Sequence, residues 1–276
     1  MNIDGNTKII AHIGYPTHSF KSPLIYNPYF EQASINALVV PMACQIPAFA
    51  AFLPAIFSLE NTIGALITMP HKVSVVAMLD EATPTVRIAG ACNAVKRNAE
   101  GKLVGDMFDG EGFVRGVLRK GRTVAGARAL VVGTGGVGSA IAASLARAGA
   151  AGISLFDVNI ASCEGLAARL GAHYPSLIVN TGSNDPAGYD IVVNATPMGM
   201  EAGDPLPMDV SRISPNTFVG EVVMRDAMTA FLQAAADRGC AYQVGTDMLF
   251  EQIPAYLEFF GLPTTTAENL RAVARV

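Results

Sequence analysis

The chain has 276 residues, 51% hydrophobic and 15% charged, with a formal net charge of −4. That size and composition support a large core in one large or two modest domains and exclude a disordered chain. The acidic balance, with no basic cluster, argues against nucleic acid as a partner. No apolar run approaches the roughly 18 residues of a membrane span, and residues 1–6 are polar, with no signal-peptide core. The four cysteines (Cys44, Cys92, Cys163, Cys240) are scattered without metal-ligand spacing, as expected for reduced thiols of a cytoplasmic protein.

In chain order, residues 7–14 read as a strand. The loop 14–23 is rich in turn formers and hydroxyls, and Pro23 suits the first turn of a helix reaching about residue 34, with Ser22 as its cap. A continuous apolar strand (36–42), an apolar helix (46–57) and a second buried strand (63–68) follow. The last of these runs into Thr68-Met69-Pro70-His71-Lys72, with Pro70 at a helix start. Segments 93–96 and 102–105 read as short strands joined by a turn at 98–101. Asp109-Gly110-Glu111-Gly112 then opens a helix reaching about residue 118.

The next segment is the most informative. The apolar run 129–132 enters Gly133-Thr134-Gly135-Gly136-Val137-Gly138, and a helix over 140–148 ends at Gly149. Strand, G-x-G-x-x-G turn and helix in that order form a dinucleotide fingerprint. The turn lets backbone approach a pyrophosphate, and the helix N-terminus faces its charge. Gly133, Gly135, Gly136, Val137 and Gly138 are therefore candidate cofactor contacts; the bland alternative is an ordinary βαβ turn. The next strand, 152–156, ends in Asp157, about 20 residues on, where an acid would hold a ribose 2′-OH. Beyond it come a helix (161–170), a weak strand (177–180) and a strand (190–194) entering the polar Ala195-Thr196-Pro197 loop. A strand (217–223), a helix (228–238), a short strand (240–244) and helices over 247–260 and 265–274 complete the chain. This alternation predicts an α/β protein with largely parallel sheets. The expected layout is an N-terminal α/β substrate domain plus a Rossmann dinucleotide-binding domain, with a cleft between.

Ligands of open α/β sheets lie beyond the carboxyl ends of strands, where Ser22, Thr68–Lys72 and Asn93 fall; Asp109 falls at the domain junction. Hydride transfer at a carbinol carbon needs a group to move the hydroxyl proton, and a lysine beside a carboxylate can do so. Lys72 and Asp109 are the candidates, against the alternative of a structural ion pair.

At these positions the chain resembles the shikimate/quinate dehydrogenase family over nearly its whole length. Gly14 to Pro23 resembles G-x-P-x-x-x-S-x-S-P, and Thr68 to Lys72 is similar to the end of N-V-T-x-P-x-K. Gly90-Ala91-Cys92-Asn93-Ala94 resembles G-A-V-N-T, and Gly105 to Gly110 resembles G-x-N-T-D-G. Val193 to Met200 is close to N-A-T-P-x-G-M, and Gly245 to Gln252 is similar to G-x-x-M-L-x-x-Q. The resemblance implies catalytic roles for Lys72 and Asp109 and substrate contacts from Ser22, Thr68, Asn93 and Gln252. It places Thr196, Val222, Gly245 and Met248 on the nicotinamide side. It also returns the C-terminal helices to the first domain, giving 1–108 plus 245–276 for substrate and 109–244 for cofactor. The implied partner is a small cyclic hydroxy acid, and the chain is expected as a monomer or homodimer.

The departures from these motifs mostly remove hydrogen-bonding groups. Phe20 stands at the first serine unless a one-residue shift restores Ser19. Leu66 replaces an asparagine, Ala94 a threonine, Met107 and Phe108 an asparagine and a threonine, and Met224 a tyrosine. The preferred substrate is therefore open among shikimate, quinate and a less polar or aminated analogue, and a non-catalytic dinucleotide sensor is the rival of another class. NADP users of this family carry Asn-Arg where this chain has Asp157-Val158, so NAD is the expected cofactor. His71 is expected to cap or pack at a helix start, His12 and His173 to be structural or surface, and His18 to be loop structure rather than a contact to a substrate carboxylate. The methionines at 198, 200, 224, 228 and 248 are expected to line a cleft or the core rather than bind metal.

Overall fold

The computed structural model describes residues 3–201, 203–224 and 228–276; Met1 and Asn2 of the polar N-terminal stretch lie outside them. The chain forms two compact units. One comprises Met1–Val86, Gly90–Phe108 and Ile253–Val276, the other Arg87–Ala89 and Asp109–Gln252.

The first unit opens with β1 (Lys8–Gly14), α1 (Ser22–Gln32), β2 (Ala37–Ala43), α2 (Ile46–Ile56) and β3 (Thr62–Ile67). These are right-sized βαβ units, and β1 pairs in parallel with both β2 and β3. Buried on both faces, β1 is an uninterrupted run from Ile10 to Gly14. After β3 come β4 (Glu81–Ala82), α3 (Pro84–Ala89), β5 (Ala94–Arg97) and β6 (Leu103–Asp106), in the sheet order β2-β1-β3-β5-β6-β4.

The pairings are largely parallel, as expected; the exceptions are β3–β5 and the expected β5–β6 hairpin, whose turn is too short for a crossover. Two expectations change here. Pro70 does not start an α-helix: the segment after it turns and then forms a short 3₁₀ helix, Ser74–Met78. Ser22 does not cap α1, since Lys21 occupies that position and no side chain caps the helix.

The second unit begins with α4 (Asp109–Arg119), β7 (Arg128–Val132), α5 (Gly136–Arg147), β8 (Gly152–Phe156) and α6 (Ile160–His173). It continues with β9 (Ile178–Thr181), β10 (Ile191–Asn194), β11 (Phe218–Glu221), α7 (Ala230–Asp237) and β12 (Tyr242–Gln243). All pairings are parallel, in the order β12-β11-β10-β7-β8-β9. This is the doubly wound order, with its topological switch between β7 and β10. Glycines set the packing of α4. A β-carbon on Gly110 would strike the Ala140 carbonyl of α5, and one on Gly116 would strike the Gln243 side chain.

The chain ends with α8 (Gly245–Phe259) and α9 (Ala267–Val273). Residues 245–252, expected with the first domain, group with the second unit. The reason is local: Gly112 lies against the Met248 carbonyl, Arg119 pairs with Glu251, and Lys120 reaches Asp247 at 3.0 Å. All four cysteines are buried and free of disulfides, and burial pushes the Cys92 thiol up to about 12.

Candidate active site

Lys72 sits on a fixed base in the first unit. Its carbonyl accepts from the Cys92 amide (2.8 Å), while Asn93 just beyond accepts from the Ile67 amide (2.9 Å). These two bonds bring the Thr68–Lys72 turn and Asn93 together at the ends of β3 and β5. The preceding residue, His71, is 1% exposed, stacks on Phe49 at 4.0 Å and places Nε2 2.7 Å from the Cys44 carbonyl. It packs as expected and anchors the turn. Ser22 and Thr68 are half-buried. Since α1 lacks a side-chain cap, the Ser22 hydroxyl is not used there.

Phe20 resolves the serine alignment. Its ring reaches over Gly14 towards Thr68 and stacks on His12 at 4.0 Å, whereas Ser19 is exposed. His12 is buried, and its Nδ1 has no hydrogen-bond partner among the described residues. Burial first, and the charge of Lys72 second, pull its pKa down to about 4, so the imidazole is neutral near pH 7. In sheet register His12 lies opposite Leu66, and Leu66 opposite Ala94. Two of the altered family positions therefore fall in one cross-strand row with His12. His12 is expected to be structural or surface, and it is buried and stacked on Phe20.

Asn93 has a positioning task. Its Oδ1 accepts from the Phe108 amide at 2.9 Å, fixing the backbone that leads to Asp109. In the second unit Asp109 is the first residue of α4 and 5% exposed. Gln252, on α8, packs its Cβ against Gly112, is 7% exposed, and leaves Oε1 without a partner among the described residues.

A cavity of about 920 Å³ lies within the second unit at the β7/β10 switch. Gly133, Gly135, Gly136, Val137, Asp157, Thr196 and Val222 line it, as the fingerprint predicts. Gly133 has φ +100°, and open space lies where a Gly135 side chain would stand. The turn can thus bring backbone amides to a pyrophosphate at the start of α5. Gly138 underlies the turn: a β-carbon there would strike the Gly133 carbonyl. Gly138 itself does not line the cavity, and two further expected contacts do not either. Gly245 is pressed against the Val223 carbonyl, and Met248 is 2% exposed in the core with Phe113 and Ile141.

The family model for the shikimate dehydrogenase substrate-binding domain matches residues 12–95. A shikimate dehydrogenase (NADP(+)) from Rubrobacter xylanophilus is 35% identical over 91% of this chain and 89% of its own. The chain belongs to the shikimate/quinate dehydrogenase family, oxidoreductases that act on CH–OH groups. Among solved structures, a shikimate 5-dehydrogenase from Listeria monocytogenes in complex with shikimate and NAD has a TM-score of 0.92 at 23% identity. It covers 99% of this chain and 98% of its own. A quinate dehydrogenase from Corynebacterium glutamicum in complex with NAD has a TM-score of 0.85 at 26% identity, over 97% and 98%.

These relatives correct the expectation of NAD: the Rubrobacter enzyme and others at 32–34% identity are all named for NADP(+). Asp157 also has local partners in the structure. Its Oδ2 accepts from the Thr134 amide (2.6 Å) and hydroxyl (2.9 Å), and its Oδ1 from the Asn159 amide (2.9 Å). Burial raises its pKa, but these bonds outweigh that and hold the carboxyl below its ordinary range. The acid braces the glycine turn. Thr134, unremarked in the motif, is its main partner.

Proposed function

We propose that this chain interconverts a cyclic hydroxy acid of the shikimate or quinate type and its ketone by hydride transfer with NADP(+). The observation that carries the reading is the way Lys72 is held: its turn is bonded to Cys92 and anchored by His71, next to Thr68 and Asn93. The cofactor, held on the glycine turn and the Thr196 and Val222 loops, supplies the hydride acceptor. As hydride leaves the carbinol carbon, the hydroxyl proton passes to Lys72 acting with Asp109; in the reverse direction the pair returns it to the forming alkoxide. Ser22 and Thr68 offer hydroxyls to the substrate. Gln252 offers a buried amide whose oxygen has no partner among the described residues. Asn93, with Oδ1 engaged by Phe108, would reach the substrate through Nδ2.

One observation favours a second reading of the substrate. The His12–Phe20 stack, with Leu66 and Ala94 beside it, gives this end of the first unit fewer hydrogen-bonding groups than a heavily hydroxylated ring needs. Each unpaired buried polar group is worth about 1–3 kcal/mol, which supports an alicyclic hydroxy acid with fewer oxygens.

The test follows nicotinamide reduction with NADP(+) against shikimate, quinate and deoxygenated or aminated analogues. Turnover of one of them is expected. NADP(+) binding without turnover of any would replace the enzyme reading with that of a dinucleotide sensor.

A further inference from the structure

Glu221 ends β11 immediately before Val222, which lines the cavity. It is 0% exposed. Its Oε2 accepts from the Thr229 hydroxyl at 2.9 Å, and its Oε1 has no partner among the described residues. Thr229 also caps α7, accepting from the Leu232 amide. On the adjacent strand, Asn194 lies in register with Glu221, and its side-chain amide interacts with the carboxyl.

Asn194 in turn organises the cavity wall. Its Oδ1 accepts from the Thr196 amide (3.1 Å) and hydroxyl (2.6 Å), and its Nδ2 donates to the Met198 carbonyl (2.9 Å). Its own carbonyl accepts from the Val222 amide at 3.1 Å. Thr196, Met198 and Val222 all line the cavity. Glu221 thus sits beneath the point where two cavity-lining loops and the start of α7 meet.

Among the described residues, the groups facing it are Asn194 on β10 and Thr229 at α7, with Gln243 on β12 next to its neighbour Gly220. None of them titrates, and none supplies a positive charge. Burial accordingly pushes the carboxyl up to about 7, against the smaller lowering by Thr229 and Asn194. An ionised Glu221 would be a buried charge without a cation among the described residues, and its least costly relief is movement of the segment above it.

We propose that Glu221 in its neutral form is a positioning residue for the nicotinamide side of the cofactor site, and that its ionisation loosens the Thr196 and Val222 loops. This rests on the dinucleotide-binding reading of the cavity, not on the identity of the substrate.

The test is calorimetric titration of the whole protein with NADP(+) from about pH 6.5 to 9, using wild type, Glu221→Gln and Glu221→Ala. Glutamine keeps the shape and the neutral charge. It also shares any pH dependence of the cofactor's own phosphate, whose ionisation lies near 6. Wild-type Kd should weaken about tenfold across neutrality beyond the Glu221→Gln baseline. Glu221→Gln should bind tightly throughout, and Glu221→Ala weakly at every pH. A Glu221→Gln profile that follows wild type, or matches Glu221→Ala, overturns the proposal. Turnover is scored separately: a wild type that shows the Kd profile but oxidises no cyclic hydroxy acid fails the substrate reading and leaves Glu221's role standing.

Discussion

Thr134 and Asp157 are joined twice through one carboxylate oxygen, the amide at 2.6 Å and the hydroxyl at 2.9 Å. The end of β8 thereby fixes the glycine turn after β7. Asp157→Ala should loosen the turn and weaken NADP(+) binding by roughly tenfold, the worth of about one bond to a charged group. Calorimetric Kd and melting temperature check this together. Tighter NADP(+) binding at unchanged stability would show instead that the carboxylate acts on the ribose.

Lys72→Ala should lower kcat by about 10²–10⁴, the usual effect of a positioned acid/base group. Dinucleotide affinity should stay within about twofold, because the cavity in the second unit does not use this side chain. Steady-state kinetics with a parallel cofactor titration separate the two effects. A variant retaining wild-type kcat would remove Lys72 from the chemistry.

His12 makes stability depend on acid. Its folded pKa of about 4 lies below the unfolded value near 6.5, so the unfolded chain binds the extra proton between those limits. Stability should be full above about pH 6.5 and fall as pH drops towards 4, by up to roughly 3 kcal/mol from this group. His12→Phe keeps the stack on Phe20 and removes the titration. Urea unfolding at several pH values should show this component in wild type and not in the variant.

Phe20→Ser trades a stacked ring for a hydroxyl at the mouth of the Lys72 turn. Stability should fall by about 0.5–1.5 kcal/mol through the lost ring pair. The kcat/KM for shikimate should rise about tenfold as a hydrogen-bonding group is restored. A fall for every substrate tried would mean that Phe20 itself contacts the ligand.

Gly110→Ala tests the α4–α5 packing. Its β-carbon would meet the Ala140 carbonyl and the Ser144 hydroxyl. Backbone cannot yield cheaply, so a loss of about 1–3 kcal/mol is expected, read as a lowered melting temperature. An unchanged melting temperature would show that the two helices can separate without penalty.

Elements whose signal is local were legible in the sequence. The turn from Gly133 to Gly138 was readable because three glycines, a strand and a helix stand within about a dozen residues, and the β5–β6 hairpin because its turn is short. The short β4 and α3 left no periodic pattern to read. The turn after Pro70 looked helical because proline also favours helix starts. Roles that depend on distant partners were not legible. Asp157 reads as a ribose ligand, but nothing in the motif shows that Thr134, 23 residues earlier, bonds to it. Met248 carried a family motif yet lies in the core. Glu221 had no motif at all, and its significance arises only where β10, β11 and α7 converge.

The buried thiols have a practical consequence. None of Cys44, Cys92, Cys163 and Cys240 lies at the surface, and burial raises the pKa of each. Maleimides and other thiolate-seeking dyes should therefore leave the native protein unlabelled. A single cysteine introduced into each unit would then be the sole attachment points for a fluorophore pair. Their separation could be followed during cofactor binding in an otherwise unaltered chain.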